Sequence, residues 1–322
     1  MKQPAISFIV PVRNDRDRLL RCLASIRRAA ADESIELVVV DNGSTDGSDA
    51  AAERAGARVL RLPGRRVSEL RNRAAAAATG HLLAFVDADH EIDPGWIAAA
   101  RRTLGRPDVG GAGAPYESPA DGTWVQRIYG GLRRHAAAPC EVDWLPSGNL
   151  VMRREAFEGI GGFDVTLEAC EDVDLCCRIR AGGWRLVLDP RLKSIHHGDP
   201  ATLGALFRGE LWRGRDNLRV TLRGAASLRD LPSVAIPILD LLLLAAAVCG
   251  LATTSRAGSL VAVAALAVVG AFAGLRAWLM TGRLGTAARL AGIRAFAVAV
   301  VYDTARALAL VARAPHDLRR RA

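Results

Sequence analysis

The chain lacks the glycine signatures of the common nucleotide enzymes. The glycine turn Gly43-Ser44-Thr45-Asp46-Gly47 follows a strand, yet it forms neither G-x-G-x-x-G nor G-x-x-x-x-G-K-[ST]. That argues against a dinucleotide enzyme and against a P-loop ATPase. Cysteine is scarce and unpatterned: Cys22, Cys140, Cys170, Cys176, Cys177 and Cys249 include no Cys-x-x-Cys pair, and most sit inside apolar patterns. A disulfide framework or a zinc site is not expected, and a reducing compartment is. Aromatic residues make up only 5% of the chain. No aromatic-studded basic groove accompanies the net charge of +9, so nucleic acid is not expected as a partner. The N-terminus enters a strand after a few residues without a signal-peptide pattern, so the α/β part is expected to remain in the cytoplasm.

What is present divides unevenly over the 322 residues. The first two thirds read as a soluble α/β domain, and the last third holds long Ala/Leu/Val runs. Much of the arginine excess lies near those runs and suggests an anionic membrane surface. Residues 6–10, closed by Pro11, form a first strand. Leu19, Leu20, Leu23 and Ile26 then recur at helical spacing. Strands at 35–40 and 58–62 and a helix at 67–78 follow, so strand and helix alternate as in a doubly wound parallel sheet. Residues 106–143 give no clear pattern. Strands are expected again at 146–154 and 184–188.

The stretch Leu82-Leu83-Ala84-Phe85-Val86-Asp87-Ala88-Asp89 is an apolar strand that ends in two carboxylates. Ligands of open α/β sheets bind beyond the carboxyl ends of the strands, so Asp87 and Asp89 should border a site. Two close carboxylates repel unless a cation lies between them, and a hard divalent ion carrying substrate phosphates meets that need. Asp41 also stands at a strand end. It can accept from a nucleobase or a ribose, or cap the next helix. Arg71 can reach a diphosphate or be a solvated arginine on its helix. Glu171-Asp172-Val173-Asp174 opens a helix, where acids suit the helix dipole or supply a general base. Ile195-His196-His197-Gly198 offers an imidazole that can complete a carboxylate metal site. Glu91 is expected to be solvated.

Taken in order, these pieces resemble the family 2 glycosyltransferases, which have the GT-A fold: a Rossmann-like, mostly parallel α/β sheet. The likeness covers about 6–215. It rests on Ile9-Val10-Pro11-Val12-Arg13-Asn14, Val39-Val40-Asp41-Asn42-Gly43-Ser44-Thr45-Asp46-Gly47, Leu70-Arg71-Asn72, Phe85-Val86-Asp87-Ala88-Asp89, Gly161-Gly162-Phe163-Asp164, Glu171-Asp172-Val173-Asp174 and His196-x-Gly198. The resemblance implies that Pro11, Arg13 and Asp41 form the nucleotide pocket and that Arg71 contacts the nucleotide or its diphosphate. It implies Asp87 as the ribose- or metal-side aspartate, Asp89 as the metal ligand proper, and Asp172 as the catalytic base, with Glu171 beside it on the substrate side. His196 is similar to the histidine that closes some of these sites onto metal or diphosphate, with His197 as the alternative. Mg²⁺ or Mn²⁺ is the implied cofactor. One base suits single displacement and therefore inversion, because a retaining double displacement needs a second carboxylate as nucleophile. The Gln-x-x-Arg-Trp of processive synthases is missing: Arg208-Gly209-Glu210-Leu211-Trp212-Arg213-Gly214 does not match it, which favours a single transfer.

The expected domains are a glycosyltransferase domain at 1–228 and a membrane region at 229–322. Apolar runs at about 235–252 and 259–279 approach the length of a spanning helix. Arg219, Arg223 and Arg229 precede them, Arg283, Arg289 and Arg294 follow, and only Arg256 lies between, so the positive-inside rule makes a hairpin with both ends cytoplasmic. Residues of about 286–313 are expected as an interfacial helix because Asp303, Arg306 and Arg313 share a side and the basic end Arg319-Arg320-Arg321 should stay inside. Asp240 is expected near the interface. The expected reaction is transfer of a sugar from a nucleotide-sugar donor to a lipid-linked or cell-surface glycan acceptor at the cytoplasmic membrane face. The competing readings are a sugar-phosphate nucleotidyltransferase, which would want a basic glycine-rich N-terminal loop, and a non-catalytic nucleotide-sugar-binding membrane scaffold.

Overall fold

The computed structural model describes residues 5–31, 33–133, 136–223, 231–281 and 288–312. The chain forms two compact units, one of 1–119 with 134–198 and one of 120–133 with 199–322. The expected boundary at 228 lies outside the described residues. Residues 203–223 pack with the C-terminal helices, and a short excursion at 120–133 joins them.

The first unit is built on a sheet ordered β3-β2-β1-β4-β8-β6-β9-β7. Its strands are β1 (Ile6–Val12), β2 (Ile35–Asp41), β3 (Arg58–Arg61), β4 (Leu82–Val86), β6 (Val109–Gly113), β7 (Cys140–Glu141), β8 (Asn149–Arg153) and β9 (Arg185–Leu188). β5 (His90–Ile92) and β10 (Ser194–His196) make a separate antiparallel pair. Strands β1 to β4 are parallel, as the strand–helix alternation predicts. β8 runs antiparallel to both β4 and β6, and β7 antiparallel to β9, so the sheet is mixed. Two expectations shift in detail. Pro11 sits inside β1 rather than closing it, because β4 pairs with β1 only as far as Ile9 and leaves the Pro11 stretch paired with β2 alone. β8 begins at Asn149, since Pro146 and Ser147 belong to the turn that approaches it.

Alternate residues of each central strand enter different cores, which explains why these strands read as unbroken apolar runs. Phe8, Val10, Ala84 and Val86 pack against α1 (Arg16–Ala30), α2 (Ser48–Arg54) and α4 (Trp96–Leu104). Ile9, Val38, Leu83 and Phe85 pack against α3 (Val67–Ala77), α6 (Arg154–Gly159) and α7 (Glu171–Ala181). The patternless stretch before 143 holds β6, α5 (Trp124–Gly130) and β7. β6 is glycine-rich because space is short: a Cβ on Gly110 would lie 2.7 Å from that of Trp184, and one on Gly113 2.5 Å from the Asn149 carbonyl oxygen.

The second unit comprises α5 with α8 (Leu203–Arg213), α9 (Asn217–Arg223), α10 (Leu231–Ala252), α11 (Arg256–Thr281) and α12 (Ala288–Leu308). α10 and α11 are long and apolar enough to cross a membrane, with mean hydropathies of 2.5 and 2.2. Pro237 lies inside α10 and cannot donate to the Ser233 carbonyl, which instead accepts from Asn217 Nδ2 at 2.8 Å. Asp240 is buried. On α12 the polar side meets protein: Asp303 pairs with Arg276 of α11 at 2.8 Å, and Arg306 pairs with Glu210 of α8 at 2.7 Å. Asp303 and Arg306, two of the residues behind the expected interfacial helix at 286–313, thus have protein partners. Residues 286, 287 and 313, and Arg229, Arg283 and 319–321 of the charge-asymmetry argument, lie outside the described residues.

Candidate active site

The carboxyl ends of β1, β2 and β4 gather the first group of expected residues. Asp41 ends β2 and is buried, and its two oxygens accept from the backbone N–H of Gly43 (3.0 Å) and Ser44 (3.0 and 3.3 Å). It therefore closes its own turn and is not the cap of α2, whose N-cap is Gly47. Asp46 carries out the local helix-start chemistry instead, accepting from the Ser48 N–H at 3.0 Å. Pro11 is half-buried and Arg13 is exposed at the end of β1.

Beyond β4 the chain makes a tight turn through Asp87 and Asp89 into β5. The β5–β10 pair places His90 opposite His196. His196 Nε2 lies 3.2 Å from Asp89 Oδ2, and the two imidazoles are 4.6 Å apart. One donor atom each from Asp89, His90 and His196 falls within 4.8 Å of the others. Burial works against the Asp89 charge, but His196, followed by His90 and Arg18, outweighs it and holds the carboxyl well below the usual range. Of the two expected histidines, His196 is thus the one beside Asp89. His197 turns to Glu91 at 2.9 Å, and Arg28 approaches Glu91 at 3.9 Å, so Glu91 is not simply solvated. Two glycines keep this corner clear. A Cβ on Gly198 would collide with Asp89 Oδ2, and one on Gly148 would lie 2.9 Å from Asp87 Oδ2 and 3.1 Å from His90 Nε2.

The second group sits at the start of α7. The helix is entered through Cys170 in the left-handed region (φ 58°) with no side-chain cap. Its three acids have three separate partners. Asp174 is held by Arg178 at 2.6 Å. Glu171 accepts from Arg71 Nη1 at 2.8 Å. Asp172 accepts from the Val173 N–H at 2.9 Å and the Ser147 N–H at 3.4 Å. Burial pushes the Asp172 carboxyl up to about 7, with the neighbouring Glu171 charge adding and Arg71 and the two backbone donors opposing.

Arg71 joins the two groups. It is buried on α3, and its Nη2 donates to Asp87 Oδ1 at 2.7 Å while Nη1 serves Glu171. It is not a solvated arginine. Next to it, Asn72 clamps the Gly161-Gly162-Phe163 turn, donating to the Phe163 carbonyl at 2.8 Å and accepting from the Phe163 N–H at 2.9 Å. Gly162 adopts φ 73°, and a Cβ there would come within 2.6 Å of Asn72 Oδ1.

The Glycosyl transferase family 2 profile matches residues 7–161. N-acetylglucosaminyl-diphospho-decaprenol L-rhamnosyltransferase of Mycobacterium tuberculosis is 30% identical over 268 residues, which cover 66% of this chain and 87% of the relative. The chain belongs to glycosyltransferase family 2. The O-antigen biosynthesis protein RfbC of Myxococcus xanthus is 29% identical over 221 residues, but the match covers 60% of this chain and 17% of that protein. A pre-mycofactocin glycosyltransferase of M. tuberculosis is likewise 29% identical, and the match covers 41% of its length. The chain thus spans less than half of those two relatives. In structure it resembles a mannosyltransferase from Pyrobaculum calidifontis solved with GDP-Man and Mn²⁺, with a TM-score of 0.58, 20% identity, and coverage of 93% of this chain and 86% of that one. It also resembles GalNAc-T7 solved with UDP, GalNAc and Mn²⁺ (TM-score 0.51, 18% identity, 64% of this chain and 47% of that one). At these identities the likeness shows a shared fold.

The residues of this family 2 chain suit a divalent ion on their own chemistry. A carboxylate and two imidazoles converge, and the backbone of Gly148 and Gly198 leaves room beside them. His90 was not among the residues expected from sequence. Its only signal there is adjacency to Asp89, and the register with His196 appears only once β5 and β10 pair.

Proposed function

We propose that the chain transfers one sugar, with inversion, from a nucleotide-sugar donor to a lipid-linked or cell-surface glycan acceptor at the cytoplasmic face of the membrane. The observation that carries this reading is Asp172, a carboxyl raised to about 7 and linked through Glu171 and Arg71 to the donor-side Asp87. A general base works best when its pKa lies near the working pH. Asp172 takes the proton of the acceptor hydroxyl as that oxygen bonds to the anomeric carbon. The bond from that carbon to the diphosphate oxygen breaks, and the electron pair leaves with the nucleoside diphosphate. No second carboxylate is required as nucleophile, so the anomeric centre inverts.

Asp89, His196 and His90, with Asp87 adjacent, would hold Mg²⁺ or Mn²⁺, which would supply charge stabilisation for the leaving diphosphate. Asp41, Pro11 and Arg13 line the end of the sheet where a nucleoside fits the expected pocket. The acceptor reading draws on α10 and α11, which suit a bilayer, and on relatives named for a decaprenol-linked substrate and for O-antigen biosynthesis. The test is a calorimetric binding screen of the full chain in detergent against UDP-, GDP- and dTDP-linked sugars, with Mn²⁺ or with chelator. At least one donor should bind, and chelation should abolish its binding. No metal-dependent binding to any donor would overturn the reading.

A further inference from the structure

We propose that Arg71 is a positioning residue and not a diphosphate contact: its guanidinium holds Asp87, on the donor side, and Glu171, next to the base, in one fixed geometry. This inference rests on the reading of Asp172 as the base.

The geometry leaves Arg71 little freedom to serve a ligand. Its side chain is 3% exposed, and its two terminal nitrogens already donate, to Glu171 at 2.8 Å and to Asp87 at 2.7 Å. Its Nε is buried without a hydrogen-bond partner among the described residues, and the guanidinium lies 5.5 Å from the centre of the Phe163 ring. That ring is fixed in turn, because Asn72 clamps the Phe163 backbone from both sides. An arginine packed in this way cannot swing out to a phosphate without leaving two carboxylates uncompensated. Breaking a buried ion pair by removing one partner is strongly unfavourable. Asp87, in contrast, keeps 37% of its side chain exposed, so it can meet a ligand while still held.

The consequence falls on Asp172. Among the described residues, these groups face it. From α7 itself come Glu171 and the Cys176 thiol, from α3 comes Arg71, and the Val173 and Ser147 N–H groups donate to it. Glu171 opposes its ionisation and Arg71 favours it. Arg71 therefore acts twice on the base: directly, and by neutralising Glu171. Without it, two adjacent carboxylates at the head of one helix would compete for a single negative charge.

The experiment reads the titration of Asp172 directly and needs no substrate. The full chain is produced with ¹³C-carboxyl-labelled aspartate, held in detergent, and followed by NMR across pH, with the Asp172 signal identified by its loss in D172N. In R71Q the midpoint should rise by about one pH unit or more, the scale of an opposite charge removed at this range. In E171Q, which keeps the shape and an acceptor for Arg71, it should fall by a similar amount. R71K, which keeps a charge but not the two-pronged geometry, should rise less than R71Q. An unmoved midpoint in folded R71Q, combined with weaker GDP-mannose or UDP-sugar binding, would make Arg71 a substrate contact and overturn the proposal. If R71Q does not fold, E171Q decides: a midpoint that fails to fall overturns it. Loss of turnover in D172N tests the base itself, so the two ideas fail separately.

Discussion

In the first unit, Asp87, Asp89, Glu171 and Asp172 crowd one end of the sheet, and Arg71 is the cation that touches two of them. In the second unit, Glu210 is met by Arg213 at 2.9 Å and Arg306 at 2.7 Å, and Asp303 by Arg276 at 2.8 Å. The first arrangement has a surplus of acid, whereas Glu210 is met by two arginines and Asp303 by one. Surplus charge of one sign is costly unless a ligand of the other sign is part of the design, and that is why it marks a working site. Matched charge inside a helix bundle needs no ligand. It ties α5, α8 and α12 together, since the Tyr129 hydroxyl also donates to Glu210 at 2.7 Å. Burial resists ionisation of Glu210, but Arg306 and Arg213 outweigh it and keep its carboxyl below the ordinary value.

This contrast can be broken by substitution, beginning with the largest expected effect. E210Q removes the fully buried carboxylate that two partly exposed guanidiniums share and should cost about 3–5 kcal/mol of stability, read as a lowered unfolding midpoint in detergent. The joint replacement E210L/R306M should recover much of that loss, because apolar groups of similar volume often replace a buried pair without penalty. Recovery would show that the Glu210–Arg306 pair serves structure alone. Next is V263R on α11, where the side chain is 66% exposed on an apolar helix. If lipid covers that face, the change should cost about 2.5–3.5 kcal/mol of insertion and release the chain from membrane fractions. An unchanged membrane pool would mean that α11 is not lipid-facing there. Smallest is E91Q at the edge of the site. It weakens partly exposed pairs with His197 and Arg28 and should change stability by about 1 kcal/mol or less, with donor binding intact. A large loss of donor binding in E91Q would draw Glu91 into the site.

Sequence made the first unit more legible than the second. The apolar strand runs, the Asp87/Asp89 strand end and the acids opening α7 are local patterns, and they point to the sheet and to the carboxylates around its end. β8 reads as a strand, but its antiparallel pairing depends on distant partners at β4 and β6. The closeness of His90 to His196 likewise exists only through pairing between segments more than a hundred residues apart. On α12 the helical wheel found Asp303 and Arg306 on one side correctly. It could not tell protein from headgroups as the surroundings of that side, because Arg276 and Glu210 come from other helices. The excursion at 120–133, which folds with the C-terminal helices, left no periodic signal long enough to read.

The most direct measurement compares D172N with the wild-type chain for both donor binding and sugar transfer, across pH, using the nucleotide sugar that the metal-dependent screen selects. The account predicts that D172N binds the donor as the wild type does and loses about 10²- to 10⁴-fold in turnover, while the wild-type rate falls as pH drops below about 7 and Asp172 takes up its proton. Turnover preserved in D172N, or a wild-type rate flat through that range, would contradict it.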